Sequence, residues 1–510
     1  MKFSTKSKSL LITTFLYIYL PVLIFLFGFV RWYILAPSLI VVFFFGYKMY
    51  KDYIEDYKSS DIADISIKLP ILAVVVLIIT GVCILIGFGA IFPQSGDWYK
   101  HNAVLRDLLM RSWPVYYPTD DPSMLTYYLG QYMVPAVIGR IFGRSFDVAS
   151  VAMAVWGVLG LVLAYLHLIR IVKADSALKQ LVAVFVMFFF CGGLVLAQVV
   201  LQGIYGDDMF SMGSYHWILV RNVMIQYRSN LIMLRWVYPQ VIVPWIVTIL
   251  LMEHRKRVED YVLLIVPTIL FGSFSFAALV VMGLVFGIEH LLKRELTIKE
   301  RLLKLFSISN ILSGLTLGLV FFFYFLGNLQ VTKPYYSSFR FQNYFEDKTL
   351  PVYFVFCFFM FGIYAICTWK EHKKDIVFYV NVAILLLLPF LRMGLCNDVV
   401  MSGSIPSLWI LMIFCLQLLL AKDNAEAGIR KGIIISLMII GLWYPSLELR
   451  DNIVGNHKGS DIYDGYKTMM KFSDRSASYD VSEDLIYNYY TYDLEGKVFY
   501  EAIARYKMAK

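Results

Sequence analysis

Apolar and polar positions alternate along this chain on the scale of whole helices. Twelve uninterrupted apolar runs stand out, at roughly 10–30, 34–50, 69–93, 147–169, 181–202, 236–252, 261–291, 305–328, 350–369, 376–393, 405–420 and 432–449. Most approach the ~20 residues a helix needs to cross ~30 Å of hydrocarbon. Within that layer every backbone N–H and C=O must be bonded inside its own segment, which favours helices. The run at 261–291 exceeds one span. Gly272-Ser273 and Ser275 interrupt it, which predicts two short helices joined outside the membrane and thirteen crossings in all. The expected fold class is an all-α polytopic membrane protein.

The polar stretches between the runs set the expected orientation. With the N-terminus inside, the stretches 1–9, 48–68, 170–179, 253–260, 292–304, 370–375 and 421–431 hold 24 of the 46 Lys and Arg. Nine more lie in the tail 450–510, leaving 13 for all other external segments. Clusters such as Arg255-Lys256-Arg257 mark cytoplasmic loops by the positive-inside rule. The reading is therefore a multi-pass cell-membrane protein with a cytoplasmic N-terminus and an extracytoplasmic C-terminus. Met124 to Gly143 is apolar enough to cross, yet a crossing there would invert every later loop. It is expected as a juxtamembrane or re-entrant helix, the rival being a true span. Four parts follow: 1–93, N-terminal spans; 94–146, an external loop with juxtamembrane helices; 147–449, the transmembrane core; and 450–510, a small external region. Long external pieces at 203–235, 329–349 and 394–404 interrupt the core.

Composition agrees. The 510 residues are 59% hydrophobic and 16% charged, against about 45–50% and about 25% in soluble domains. The net charge of +9 is spread between apolar runs, so no nucleic-acid partner is expected. Five of six cysteines lie inside apolar runs and Cys396 at the end of one; no spacing suggests a metal cluster or a disulfide framework. Lys2, Lys6 and Lys8 precede a first run without a small-residue cleavage site, as in a retained anchor.

Candidate chemistry sits in the external loops, because the span centres are nearly free of charge, unlike an ion-coupled transporter. The first loop carries Asp97, Lys100, His101, Arg106-Asp107, Arg111 and Asp120-Asp121. From Trp98 to Trp113 the apolar spacing suits a helix lying on the membrane surface, with Asp97 near its N-cap. Asp97 is either a general base or only the cap of that helix. Lys100 and His101 either neutralise a phosphate or contact lipid headgroups. Asp120-Asp121 is a second acidic site or an Asp-Pro turn. The second loop interleaves Asp207, Asp208, His216, Arg221, Arg228 and Arg235 with Tyr205, Tyr215, Trp217, Tyr227, Trp236 and Tyr238. Guanidinium groups among aromatic faces suit a lipid-linked phosphate and a sugar ring, or an aromatic belt with snorkelling arginines. Lys333, Tyr335, Tyr336 and Arg340 repeat that composition in the third loop, and Asn397-Asp398 flank a short loop between two spans. No Gly-rich nucleotide cradle, His/Cys cluster or nucleophile elbow is present.

An external Asp soon after an early span, a helix after it, and "TYYLGQYMVPAVIGRIFG" at 126–143 resemble the multi-spanning GT-C glycosyltransferase superfamily. The Tyr127-Tyr128-Leu-Gly-Gln-Tyr132 stretch is similar to YYY-type membrane proteins of the same clan, and "WVYPQVIVPW" (236–245) and "NDVVMSGSIP" (397–406) resemble recurrent pieces of its members. The resemblance covers roughly 94–420. It implies a GT-C-like fold and transfer of a sugar from a polyprenyl-phosphate donor to a glycan, lipid or envelope acceptor outside the cytoplasm. Asp97 takes the position of the superfamily's first-loop acidic residue. Lys100, His101, Arg221, Arg228, Tyr335, Arg340 and Asp398 are then candidates for substrate binding. Two spans precede the one leading to the acidic loop, and no DxD pair opens it, so use of a divalent cation stays open. The rival classes are a lipid-linked oligosaccharide flippase and a non-catalytic envelope assembly subunit.

Overall fold

The computed structural model describes residues 2–58, 62–94, 97–120, 122–206, 216–292, 295–329, 339–346, 348–394, 397–422, 425–454, 468–472 and 489–508. Eight helices are long and apolar enough to cross a membrane: α1 (Lys8–Phe29), α2 (Trp32–Asp56), α6 (Phe146–Ile171), α7 (Ala177–Tyr205), α11 (Ser273–Leu292), α12 (Ile298–Asn328), α13 (Leu350–His372) and α17 (Ala425–Val454). A ninth is the pair α8 (Asn230–Trp236) and α9 (Tyr238–Glu253), bent by 115°. Three shorter apolar helices join them: α3 (Leu69–Leu85), α14 (Ile376–Phe390) and α16 (Ile405–Leu420). The chain is thus a polytopic helical membrane protein. The run at 261–291 does break at Gly272. Its first part is a short helix α10 (Tyr261–Ile265) continued by a tight turn of helix to Leu270, and its second part is α11.

Burial follows apolar distribution around each helix. In α9, every residue from Ile242 to Leu251 is buried, and α16 is buried from Ile405 to Leu416. Both are apolar on all sides, as an interior helix must be. They meet through Trp245 and Trp409, stacked with centroids 4.1 Å apart. The peripheral α2 is mostly exposed and would face lipid.

The polar connections are sorted to two ends. At one end, Arg170 donates to the carbonyl of Thr5 (2.7 Å), the hydroxyl of Tyr57 (2.9 Å) and the carboxylate of Glu253 (2.8 Å). There β1 (Lys2–Ser4) pairs with β2 (Ser66–Lys68), and Arg255 reaches Asp375. We call this the basic end. At the other end lie α4 (Trp98–Met110), the start of α6, the α8 segment and the described part of the tail. Helix α5 (Gly130–Ile141) stays on that side. Its Gln131 donates to Tyr17 midway along α1, and its Arg140 donates to the carbonyls of Leu108 and Arg111.

The loops at this second end are not purely helical. They hold β3 (Tyr116–Tyr117), β4 (Ser123–Leu125) and β9 (Tyr490–Thr491) in one three-stranded sheet. Two short antiparallel pairs, the hairpin of β5 (Ile218–Val220) with β6 (Val223–Ile225) and the long-range pair of β7 (Arg340–Phe341) with β8 (Leu391–Arg392), complete the set at this end. The expected boundary at 449/450 falls inside α17, which runs on to Val454. The described tail packs on the membrane part, with Tyr489 stacked on Tyr127 at 3.9 Å and Val30 bridged to Ala504.

Candidate functional site

The expected helix after Asp97 exists as α4, but it is neither a surface helix nor capped by that side chain. Residues 100–105 and 107–109 are buried, because α5 and the tail cover the face meant for lipid. Asp97 holds the N-cap position without a side-chain capping bond. Its carboxylate instead meets the ammonium of Lys100, one turn on, at 2.6 Å. The reading of Asp97 as a mere cap is therefore corrected.

Four charged groups from three distant segments act on one another here. Burial would push the Asp97 carboxyl up, but the ammonium of Lys100 and the guanidinium of Arg228 hold it below the usual carboxylate range. Asp398, the first residue of α15 (Asp398–Gly403), is pushed the other way. Burial raises it and the charge of Asp97 adds to this, while Arg228 and Lys100 oppose. A third of the Asp97 side chain stays exposed and Asp398 is partly exposed, whereas Lys100 is only 7% exposed. Both carboxylates thus reach solvent beside a cation set deeper in the protein, and we call this partly open charged cluster the recess. Tyr127, Tyr128 and Tyr489 also feel these carboxylates.

Local chain geometry places each group. The 115° bend at Val237 lays α8 across the end of α9, and the segment before α8 delivers Arg228, whose Nε donates to Gln226 at 2.8 Å. Asn397, in the left-handed region at φ 53°, turns the chain into α15. Its side chain donates to the carbonyl of Met224 (2.7 Å), tying the Asp398 turn to β6. At Gly394 a Cβ would lie 2.9 Å from Asp398 Oδ2, so glycine leaves room for that carboxylate.

Of the other candidates, His101 adjoins this cluster, influencing Asp97 and influenced by Asp97 and Lys100, while Arg221 and Arg340 lie apart from it. His101 is sealed in the interior: its Nε2–H donates to the carbonyl of Trp236 (3.2 Å) and its Nδ1 accepts from the hydroxyl of Tyr132 (2.5 Å). Burial pushes its pKa down to about 4, so near neutral pH it is uncharged and cannot neutralise a phosphate. Arg221 is exposed at the β5–β6 turn with its guanidinium over the Tyr205 ring (5.7 Å), and Arg340 is exposed on β7. Neither is among the charges that bear on Asp97 or Asp398. Asp120 is exposed in a bend. Tyr335, with Lys333, Tyr336, Asp121, Asp207, Asp208, Tyr215 and Cys396, lies outside the described residues. Among the described residues no three His, Cys, Asp or Glu side chains gather as metal ligands.

One group was not anticipated. Glu448 of α17 meets His216 Nε2 at 2.8 Å and Arg235 at 2.6 Å, with all three side chains under 10% exposed. Arg228 acts on both Glu448 and His216, so this buried set adjoins the recess. Its sequence signal was an acid at the end of an apolar run.

No protein-family model, no curated protein and no solved structure matches this chain.

Proposed function

We propose that the chain is an integral-membrane glycosyltransferase of GT-C type, moving a sugar from a polyprenyl-phosphate donor to a hydroxyl of a glycan, lipid or envelope acceptor. In this reading thirteen segments cross the membrane and the recess opens on the extracytoplasmic side. The observation that carries the proposal is that Asp97, Lys100, Arg228 and Asp398, from three distant segments, bear on one another electrostatically at one bundle end, with both carboxylates partly open to solvent.

The chemistry follows from those groups. The acceptor oxygen attacks the anomeric carbon on the face opposite the phosphate, its proton passing to Asp97. The bond between that carbon and the phosphate oxygen breaks, and its electron pair leaves on the phosphate. Arg228 and Lys100 stabilise the charge that develops there. A positioned base typically contributes about 10²–10⁴-fold and preorganised cations a comparable factor. Attack from the opposite face inverts the anomeric centre.

The test is a donor screen with purified protein, short-chain polyprenyl-phosphate sugars and glycan or lipid acceptors. Wild type is expected to transfer at least one sugar. Asp97→Asn should lower transfer at least about a hundredfold at unchanged folded yield. Absence of transfer from every donor, or an active Asp97→Asn protein, would overturn the proposal.

A further inference from the structure

Where α2, the 253–260 connection and α10 meet at the basic end, acidic groups outnumber cations. Among the described residues, ion pairs there join two cations, Lys48 and Arg257, to four carboxylates, Asp52, Asp56, Glu259 and Asp260. His254 also bonds Asp56, at 2.8 Å, but burial lowers its pKa below the ordinary 6.5, so it adds no charge near neutral pH. The two cations are unevenly shared. Lys48 lies 2.7 Å from Asp52 and 3.9 Å from Asp260, and Arg257 lies 2.6 Å from Asp56 and 3.9 Å from Glu259.

Asp260 is the carboxylate with the least support. Its side chain is fully buried, and neither of its oxygens has a hydrogen bond. A carboxylate taken out of water needs a close counter-charge and hydrogen bonds to its remaining lone pairs. Lys48, already held by Asp52, supplies only a distant charge. The other neighbours do not relieve it. Tyr19 of α1 and Tyr53 of α2 feel its charge, but the Tyr19 hydroxyl donates to the carbonyl of Leu263 at 2.8 Å. The helices packed on the same turn carry Glu289 and His290 on α11 and Lys299, Glu300, Arg301 and Lys304 on α12. None of these is among the charges that bear most on Asp260, which are Lys48, Glu259, Asp52 and Arg257. A proton removes the mismatch and needs no room beside the buried oxygens. Burial, with Glu259 and Asp52 adding to it and Lys48 opposing, raises the Asp260 carboxyl from the ordinary 3.8 to about 7.

We propose that Asp260 is a proton-binding site, and that loss of its proton to water draws Lys48 from Asp52 toward the 258–260 turn, so that pH sets how α2 is docked there. The folded chain then holds a proton that an unfolded aspartate, at about 3.9, has already lost. Its stability therefore falls as pH rises from about 4 through 7. Asparagine copies the protonated form, so Asp260→Asn should be more stable than wild type above pH 7, by a margin that shrinks in acid.

The test uses full-length protein in detergent between pH 5 and pH 9. Infrared difference spectra should show the carbonyl band of a protonated carboxyl disappearing with a midpoint near 7, and Asp260→Asn should lack that band. Lys48→Gln should move the midpoint up and Asp52→Asn should move it down, each by about one unit, the effect of a charge within ~4–6 Å. Both positions are partly exposed, so these opposite shifts decide the matter even if Asp260→Asn does not fold. Hydrogen exchange reads the docking. Amide protection in 46–56, corrected for the intrinsic effect of pH, should rise from pH 6 to pH 8 in wild type and stay level in Asp260→Asn. A band that survives Asp260→Asn, a midpoint that neither neighbour moves, or protection in 46–56 that ignores pH in wild type would overturn the proposal.

Discussion

Asp97 and Asp398 share a recess but are driven in opposite directions. Lys100 and Arg228 hold Asp97 ionised, and burial beside Asp97 favours the neutral form of Asp398. Two carboxyls pushed apart in this way are the usual arrangement for dividing acid and base roles. The cations divide too. On the proposed function, Arg228→Ala is expected to weaken polyprenyl-phosphate-sugar binding by about tenfold to a hundredfold, the worth of a charge-assisted hydrogen bond, whereas Arg221→Ala should leave it within about twofold. Equal effects on donor affinity would return both to a common aromatic belt. A pH prediction follows from His101. Its folded pKa of about 4 lies below the ~6.5 of an unfolded imidazole. Its contribution to stability is therefore complete above pH ~6.5 and lost as pH falls toward 4, amounting to about 3 kcal/mol at most. His101→Gln should flatten the fall in thermal midpoint between pH 6.5 and 4; an unchanged slope would mean that other groups carry it. Asp97 and Lys100 were legible in the sequence because three residues of one helix bring them together. The Glu448 set was not, since its members come from positions 216, 235 and 448, and only packing makes them neighbours.

At the scale of elements, periodicity placed α4 correctly but mistook what covers it. An amphipathic pattern reports that a face is shielded from water, and protein shields it as well as lipid does. The β5–β6 pair does not stand out when the second loop is read only for its arginines and aromatics, but "ILVRNVMI" at 218–225 holds it. Its two apolar triplets around Arg221-Asn222, with Arg221 at φ 51°, carry the signal of a tight hairpin. Helix packing gives a sharper expectation. Gly160 of α6 sits where α1 and α9 meet it: a Cβ there would collide with the Tyr17 hydroxyl and lie 2.6 Å from Ile242 Cγ2. Tyr17 cannot yield easily, being stacked on Trp156 at 4.4 Å and bonded to Gln131. Gly160→Ala should cost about 1–3 kcal/mol as overpacking, and Gly160→Leu should abolish folded yield. Gly432 of α17 has nothing within 4 Å of such a Cβ, so Gly432→Ala should be silent or stabilise by up to about 1 kcal/mol. Thermal midpoints of the purified variants separate the two positions, and a tolerant Gly160 would mean that α1 and α6 are not held this closely.

For the whole molecule, the sorting of loops to two ends is the most consequential feature. The Lys- and Arg-rich connections around 48–68, 170–179, 253–260 and 370–375 meet through Arg170–Glu253, His254–Asp56 and Arg255–Asp375. The loops bearing Asp97, Arg228 and Asp398 meet at the other end with the tail. Hydropathy alone made that division legible, because one charge cluster per loop suffices to mark a side. Relative placement in turn ties the Asp97 recess to the C-terminus: Asp107 accepts from Thr468 (2.6 Å), and Arg31 donates to the carbonyl of Ala504 (2.9 Å). Positive-inside bias predicts an orientation for the pair, with the basic end in the cytoplasm. A reporter fused after Lys510 should accordingly be active only outside the cytoplasm. A single cysteine placed at exposed Lys256, in a chain with its native cysteines replaced, should react with an impermeant maleimide only after the cells are opened. The five described cysteines are buried and unpaired, so their replacement removes background without breaking a bridge. A cytoplasmic C-terminal reporter with an externally labelled residue 256 would invert the molecule, and a polyprenyl-phosphate donor presented outside could then no longer reach the recess. Labelling of residue 256 and the reporter on the same side would contradict the two-ended sorting itself.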